Sequence, residues 1–434
     1  VPGAAAGRED APALTAPGSR RYGPRACPQP DGPAVRIDSS KECNDVPDFK
    51  LAQRIAELPP YLFAEIDRVK KQVAARGVDI ISLGIGDPDL PTPDFIVDAL
   101  YEAAKNPANH RYPDYEGLPA FRQAVTRWYA ERFGVTDLDE AREVVSLIGS
   151  KEGIAHFPLA FTDPGDLNLV CSPNYPVYPI ATRFAGGEVA FVPMTEENAF
   201  LPDLDAIDDA TWERARSIYL NYPNNPTAAT ADAAFFEKLI ARCRETNTII
   251  VHDAAYTELY YDDAKKPPSI LQFPGAKDVA IEFHSLSKTY NMTGWRVGMA
   301  VGNASLVAGL GKVKTNVDSG IFQAVQQAGI RAMRDGEPHV AGFREVYRER
   351  RDAVVAALRK AGIDCPLPEA TVYVWAKVPK GRSSAQFVSE VLERTGVVLT
   401  PGNGFGAAGE GYFRISLTVP TARLEEAVSR IAAL

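Results

Sequence analysis

Lys288 stands at the end of an apolar run, in IEFHSLSKTYNMTGWR from Ile281 to Arg296. Val279 to Phe283 reads as a central strand of a parallel sheet, and the serine-rich turn after it presents a single amine. Most lysines are solvated surface residues, so Lys288 alone implies no chemistry. It gains meaning from other polar clusters that each follow a predicted strand: Gly149-Ser150-Lys151 after Glu143 to Gly149, Asn174-Tyr175 after Leu167 to Cys171, Asn224-Asn225 after Arg216 to Asn221, and Asp253 with Tyr256 after Thr248 to Asp253. Open α/β sheets bind ligands at the carboxyl ends of their strands. Clusters on successive strand ends therefore describe one site.

A lysine, an acid, a tyrosine, an asparagine, an aromatic ring and an anion cradle meet the demands of pyridoxal phosphate. Its aldehyde condenses with a desolvated lysine amine, for which Lys288 is the candidate. Its ring withdraws electrons only while the pyridine nitrogen stays protonated, and Asp253 is placed to pair with that nitrogen. Asn225 and Tyr256 can donate to the phenolic oxygen, and Tyr175 offers a stacking face. The phosphate is a dianion. The N-terminal turn of a helix opening at Ser150 and Lys151, with Ser285 and Arg296, would neutralise it. Upstream, DIISLGIGDPDLPTP, Asp79 to Pro93, reads as strand-like and runs into a Gly/Pro-rich turn, where Gly84 and Gly86 let backbone approach a ligand closely.

The elements that must position these residues alternate strand and helix from Glu143 onward, the pattern of a mostly parallel sheet. Helices are expected over Leu62 to Ala75, Asp94 to Ala104, Ala120 to Phe133, Ser150 to Phe161 and Phe235 to Thr246, and as one long stretch from Gly320 to Ala357. Tyr373 to Pro379, a helix near Ala385 to Thr395 and Tyr412 to Leu417 return to β and α. The expected architecture is α/β, a large domain with a mostly parallel central sheet plus a smaller α/β domain. Its parts are a disordered extension (1–47), an N-terminal arm with part of the small domain (48–92), the large domain (93–330) and the rest of the small domain (331–434).

At 434 residues, 45% hydrophobic and 24% charged, the chain can bury a large core. A net charge of −9 argues against nucleic acid or an anionic membrane as partner and favours small-molecule substrates. Five cysteines without a CxxC pair suit a reducing compartment, and the five histidines lack metal-ligand spacing, so no metal is expected. No apolar run is long enough to span a bilayer. The first 47 residues, rich in Ala, Pro, Gly and Arg, lack the apolar core of a secretory signal. Their arginines leave a plastid transit peptide open, although Glu9, Asp10 and Asp31 are uncharacteristic and a start-site artefact is the other reading; otherwise a cytoplasmic protein is expected.

From about Asp48 to Leu434 the sequence resembles the fold-type I pyridoxal-phosphate aminotransferases of classes I and II, and within them the LL-diaminopimelate group. The lysine motif is SLSK, Ser285 to Lys288, with the phosphate arginine at Arg296; D-x-A-Y is Asp253 to Tyr256; and N-P-T-G is Asn225-Pro226-Thr227-Ala228, alanine replacing glycine. PYLFAEI from Pro60, SLGIGD from Ser82, YVWAKVP, PGNGFG from Pro401 and GEGYFR from Gly409 carry the narrower likeness. The resemblance implies a homodimer that shares its active sites, with Tyr112 lent to the partner's phosphate and Tyr61 also serving the neighbouring subunit. It assigns the substrate α-carboxylate to Arg414, and further substrate contacts to Tyr61, Gly86, Lys151 and Asn225. One departure concerns specificity: the loop glutamate expected three residues after Tyr112 is Tyr115, with Glu116 alongside.

The activity this implies is exchange of an amino group between LL-2,6-diaminopimelate and 2-oxoglutarate, giving tetrahydrodipicolinate and glutamate in lysine biosynthesis. The nearest rival is an aminotransferase of alanine, aspartate or methionine with 2-oxoglutarate. A pyridoxal-phosphate lyase would release ammonia or a thiol instead. A ligand-sensing module of a transcription regulator would need a DNA-binding domain, and residues 1–47 show no such pattern.

Overall fold

The computed structural model describes residues 49–58 and 62–434, with side chains from residue 68 onward in the second stretch. The expected disorder of residues 1–47 and the site residue Tyr61 lie outside the described residues. From Ala52 onward the chain forms one compact unit. In chain order its strands are β1 (Ile81–Ser82), β2 (Val144–Leu147), β3 (Leu167–Ser172), β4 (Glu188–Pro193), β5 (Ala215–Asn221), β6 (Ile249–Asp253), β7 (Ala280–Ser285), β8 (Gly298–Gly302), β9 (Tyr373–Lys377), β10 (Val397–Val398), β11 (Thr400–Pro401) and β12 (Tyr412–Ser416).

A seven-stranded sheet runs in the order β2-β8-β7-β6-β5-β3-β4. The pairs β3–β4, β3–β5, β5–β6 and β6–β7 are parallel. β8 is antiparallel to both β7 and β2, so β2 again runs with the rest. The carboxyl ends of β2, β3, β5, β6 and β7 thus lie along one edge of the sheet. That edge is where the polar clusters were expected.

Both faces of this sheet are covered, as a parallel sheet requires. Alternate residues divide between two cores: Leu169, Ile218 and Ile250 join one, while Val170, Tyr219 and Val251 join the other. The first is completed by helices carrying Phe121, Trp128, Phe236 and Leu239, the second by Ile154, Phe157, Leu306 and Leu310. A third core, including Val354, Phe387, Phe413 and Leu424, surrounds the three-stranded antiparallel sheet β11-β12-β9. No described helix is long and apolar enough to cross a membrane. Cys171, Cys243 and Cys365 are buried and free.

The expected helices over 62–75, 94–104 and 150–161 form within those bounds, and those over 120–133 and 235–246 begin slightly earlier. Two expectations are corrected and one strand is added. The stretch from Gly320 to Ala357 is two helices, Gln323–Asp335 and Glu337–Lys360, broken at Gly336, where a Cβ would meet the Ala332 carbonyl and the Tyr290 ring at 2.4 Å. Pro338 in the first turn of the second helix could not have continued the first. β4 was not anticipated: it is an edge strand with Glu188, Phe191 and Pro193 exposed, so it lacks the unbroken apolar run of a central strand. Finally, only Ile81 and Ser82 of the segment Asp79 to Pro93 pair as strand, with Val397 and Val398.

Leu83 still bonds by its backbone, its N–H donating to Val398 O and its carbonyl accepting from Ser416 N, and beyond it the segment is a strap whose carbonyls are taken by side chains. Gly84 O accepts from Thr400 Oγ1 at 2.8 Å, and Ile85 O from Thr418 Oγ1 at 3.1 Å. Farther along, Asp89 is clamped by the buried guanidinium of Arg350, through bonds of 2.6 and 2.9 Å.

Candidate active site

Lys288 follows β7 in a single helical turn, Leu286–Thr289, capped by the Ser285 hydroxyl, which accepts from Ser287 N. Its side chain is largely buried, and Nζ donates to Gly86 O of the strap at 2.6 Å. Burial pushes the ammonium down from its usual range; the nearby charges of Arg414 and Arg296 act the same way, against Tyr373 and Asp87. Such an amine is more readily neutral than a surface lysine, which a nucleophile requires.

Asp253 ends β6 on the face opposite His252, because strand side chains alternate. Oδ2 accepts from the Tyr178 hydroxyl at 2.8 Å, while Oδ1 is buried without a hydrogen-bond partner. Burial raises the carboxyl to about 6, and the Tyr178 bond works against that rise. The residue is therefore poised for one more donor. On the other face, buried Glu282 accepts from His252 and Ile270 N at 2.9 Å, Tyr129 at 2.9 Å, Ser269 at 2.7 Å and His284 at 3.1 Å. Burial alone would raise it, yet the bonds from the two histidines hold its carboxyl well below the usual range.

Arg296, after the Lys288 turn, lays its guanidinium on Gly149, where a Cβ would meet Nη2 at 2.3 Å. Gly149 (φ 76°) immediately precedes the helix Ser150–Phe161, whose first-turn N–H groups have no helical carbonyl to bond. Two positive features thus sit side by side, a helix N-terminus and an arginine. Lys151 extends from the same turn to within 5.9 Å of the Tyr175 ring centre, and Tyr175 packs edge-on against Tyr178 at 5.9 Å.

Arg414, on β12, is only 4% exposed. Nη1 donates to Asn225 Oδ1 at 2.7 Å, Nη2 to Gly84 O at 2.6 Å, and Nε has no partner. The guanidinium lies over the rings of Tyr373 (4.3 Å) and Phe405 (4.8 Å). It has no carboxylate partner among the described residues. The structure therefore brings together Lys288, Asn225, Tyr256, Gly86 and Arg414 around the strap, with Asp253 acting on Tyr256, and sets Arg296 against Gly149 at the start of the helix that opens with Ser150. Tyr112, in contrast, is 86% exposed on its loop, and Tyr115 is 42% exposed beside it.

The arrangement also includes residues that motif reading missed. Tyr178 bonds Asp253, and Tyr373 bonds Tyr256, hydroxyl to hydroxyl, at 2.9 Å. Each lies in an apolar run, and the only signal available was the polar tip of its ring. His156, set aside as a metal ligand, bonds Glu152 at 2.9 Å; with Asp318 these side chains converge, and the buried ammonium of Lys314 donates to both carboxylates.

The sequence profile described as "Aminotransferase class I and II" matches residues 78–431. The chain belongs to that family. Class I and II aminotransferases depend on pyridoxal phosphate, so this is a pyridoxal-phosphate aminotransferase of fold type I. Among its relatives is the LL-diaminopimelate aminotransferase of Nitratidesulfovibrio vulgaris (strain Miyazaki F), 72% identical over 388 residues, which covers 89% of this chain and all of that protein. The enzyme of the same name from Maridesulfovibrio salexigens is 69% identical over 389 residues, 90% of this chain and all of the relative. Among solved structures, substrate-bound BacF from Bacillus subtilis superposes with a TM-score of 0.85 at 38% identity, covering 89% of this chain and 98% of that one.

The residues fit the family's cofactor on this chain's own geometry. An orphaned buried carboxylate oxygen, a desolvated lysine, and an arginine beside a helix N-terminus answer its ring nitrogen, aldehyde and phosphate in turn.

Proposed function

We propose that this aminotransferase moves an amino group between LL-2,6-diaminopimelate and 2-oxoglutarate, yielding glutamate and a keto acid whose distal amine closes on the new carbonyl to give tetrahydrodipicolinate. The observation that carries an amino-acid substrate is Arg414, a buried guanidinium whose bonded partners are two neutral oxygens and whose Nε is unsatisfied. An unpaired buried cation is costly, and a substrate α-carboxylate would offset that cost with bidentate geometry. The full-length relatives named for LL-diaminopimelate support the choice among amino acids.

Pyridoxal phosphate, when bound, supplies a sink for the negative charge that develops at the substrate Cα. Lys288 would carry it between turnovers, Asp253 would pair with its ring nitrogen, and Tyr256 and Asn225 would donate to its phenolic oxygen. Tyr175 would cover its ring, while Ser150, Lys151, Ser285 and Arg296 would hold its phosphate. Once free, the Lys288 amine would be kept near the substrate Cα by its own chain, where it would take the Cα proton of the amino donor in one half-reaction and deliver a proton to the Cα of the newly formed amino acid in the other. Gly86, whose carbonyl already receives Nζ, would line the same space, and Lys151 and Tyr61 would hold the distal end of the substrate.

We also infer a homodimer, in which the exposed Tyr112 completes the partner's phosphate site. In this reading residues 93–330 form the cofactor-bearing domain, and 48–92 with 331–434 the smaller one. The test is glutamate formation from 2-oxoglutarate with LL-diaminopimelate, meso-diaminopimelate, alanine, aspartate and methionine in parallel. The proposal expects the LL isomer to be preferred; no turnover of LL, with turnover of alanine, aspartate or methionine, contradicts it.

A further inference from the structure

Tyr373, the first residue of YVWAKVP, has no role assigned to it above, yet it touches three groups of the site. It opens β9, is 2% exposed, and is fixed in register opposite Ser416 of β12. Its backbone N–H donates to Thr371 Oγ1 at 3.1 Å. The hydroxyl lies 2.9 Å from that of Tyr256, and the ring carries the Arg414 guanidinium 4.3 Å from its centre. The same hydroxyl sits under Gly86, where a Cβ would approach it to 2.0 Å. Only glycine leaves room there, and the Gly86 carbonyl is the one that holds Lys288 Nζ.

Two phenols at that distance share one bridging proton, and the direction of sharing decides what Tyr256 can do next. If Tyr256 donated to Tyr373, its proton would be spent there. If Tyr373 donates, Tyr256 keeps its proton for the cofactor's phenolic oxygen, and the two bonds reinforce each other. The Arg414 cation on the face of the Tyr373 ring draws electron density from its oxygen and favours donation over acceptance.

We propose that Tyr373 is a positioning residue: its hydroxyl donates to Tyr256 and so aims the Tyr256 proton at the cofactor, while its ring seats Arg414. This rests on the reading above that Tyr256 donates to the cofactor's ring oxygen. One side chain of the small antiparallel sheet then couples the carboxylate-binding arginine to the cofactor's electronics. The other titratable or charged groups facing Tyr256 are Asp253, Tyr178 and Arg414, and those facing Lys288, besides Tyr373 itself, are Asp87, Arg296 and Arg414. The variants below leave all of these in place.

The experiment is a pH titration of the visible absorbance of the purified, cofactor-loaded protein, for wild type, Tyr256→Phe, Tyr373→Phe and the double variant. A donor to the ring oxygen matters most after the neighbouring lysine-linked nitrogen has lost its proton, so weakening that donor moves the midpoint to higher pH. Tyr256→Phe is expected to give the larger rise, and Tyr373→Phe a rise of about half a unit, the size of one modest net hydrogen bond. The double variant should match Tyr256→Phe alone. If Tyr256→Phe leaves the midpoint in place, the role of Tyr256 and the proposal fall together. If Tyr256→Phe moves it but Tyr373→Phe does not, or the two rises add, the proposal alone is overturned. A lower thermal midpoint for Tyr373→Phe with an unmoved titration would mark a purely structural residue and also overturn it.

Discussion

Asp253 illustrates how a single side chain carries both the chemistry and its cost. One oxygen is held by Tyr178 and the other is buried with nothing to bond, so without a cofactor the ionised form is disfavoured and the carboxyl rises from 3.8 to about 6. For an acid raised on folding, stability is intact below the unfolded value and is lost as pH climbs through the folded one. The contribution of Asp253 to the stability of the cofactor-free protein should therefore fall between pH 3.8 and about 6, by on the order of 3 kcal/mol. Asp253→Asn should flatten that slope and make the cofactor-free protein the more stable of the two at pH 8. Its turnover should nonetheless fall by on the order of 10²–10³-fold, because a fixed charge aimed at the reacting system is gone. Denaturant unfolding from pH 3 to 8, with and without the substitution, checks the sign. Wild-type and Asp253→Asn proteins with the same pH dependence through this range would contradict it.

At this scale the motifs exposed the residues that bear charge or a reactive amine at strand ends, because Lys288, Asp253 and Asn225 have no structural reason to follow apolar runs. They did not expose Tyr178, Tyr373 or Glu282. A tyrosine inside SPNYPVY or TVYVWA reads as core, and Glu282 in AIEFH reads as an interruption. What makes them matter is which backbone lies opposite, and pairing across the sheet is set by residues far away in the chain.

Among elements, the turn after β5 holds a departure from the family motif that has a measurable effect. Ala228, where N-P-T-G has glycine, is buried and adopts φ 62°, a left-handed conformation in which a Cβ is strained. Its N–H bonds Asn224 O, which keeps Asn225 in place beneath Arg414. Ala228→Gly should stabilise the protein by about 1 kcal/mol, with no loss of turnover, read from denaturation midpoints and steady-state rates. A destabilised Ala228→Gly would show that the methyl packs better than its backbone is strained. The β-α alternation of the large sheet was legible because both of its faces are apolar. The strap from Gly84 to Gly86 was not, since its carbonyls are satisfied by Arg414, Thr400, Thr418 and Lys288, partners no local pattern announces.

For the whole molecule, the exposed Tyr112 is the residue that looks beyond one chain. If it completes the partner's site, Tyr112→Ala and Lys288→Ala proteins, each nearly inactive, should regain roughly a quarter of wild-type activity when unfolded together and reassembled, because a mixed two-fold dimer has one intact site. Failure to regain activity, with dimers formed, would place Tyr112 in its own subunit's site. The account stands or falls on the assembly of strand ends around Lys288. Borohydride reduction of the coloured protein, followed by peptide mapping, should place the cofactor on the peptide containing Lys288 and on no other. Attachment at Lys151, Lys314 or any other lysine would contradict it.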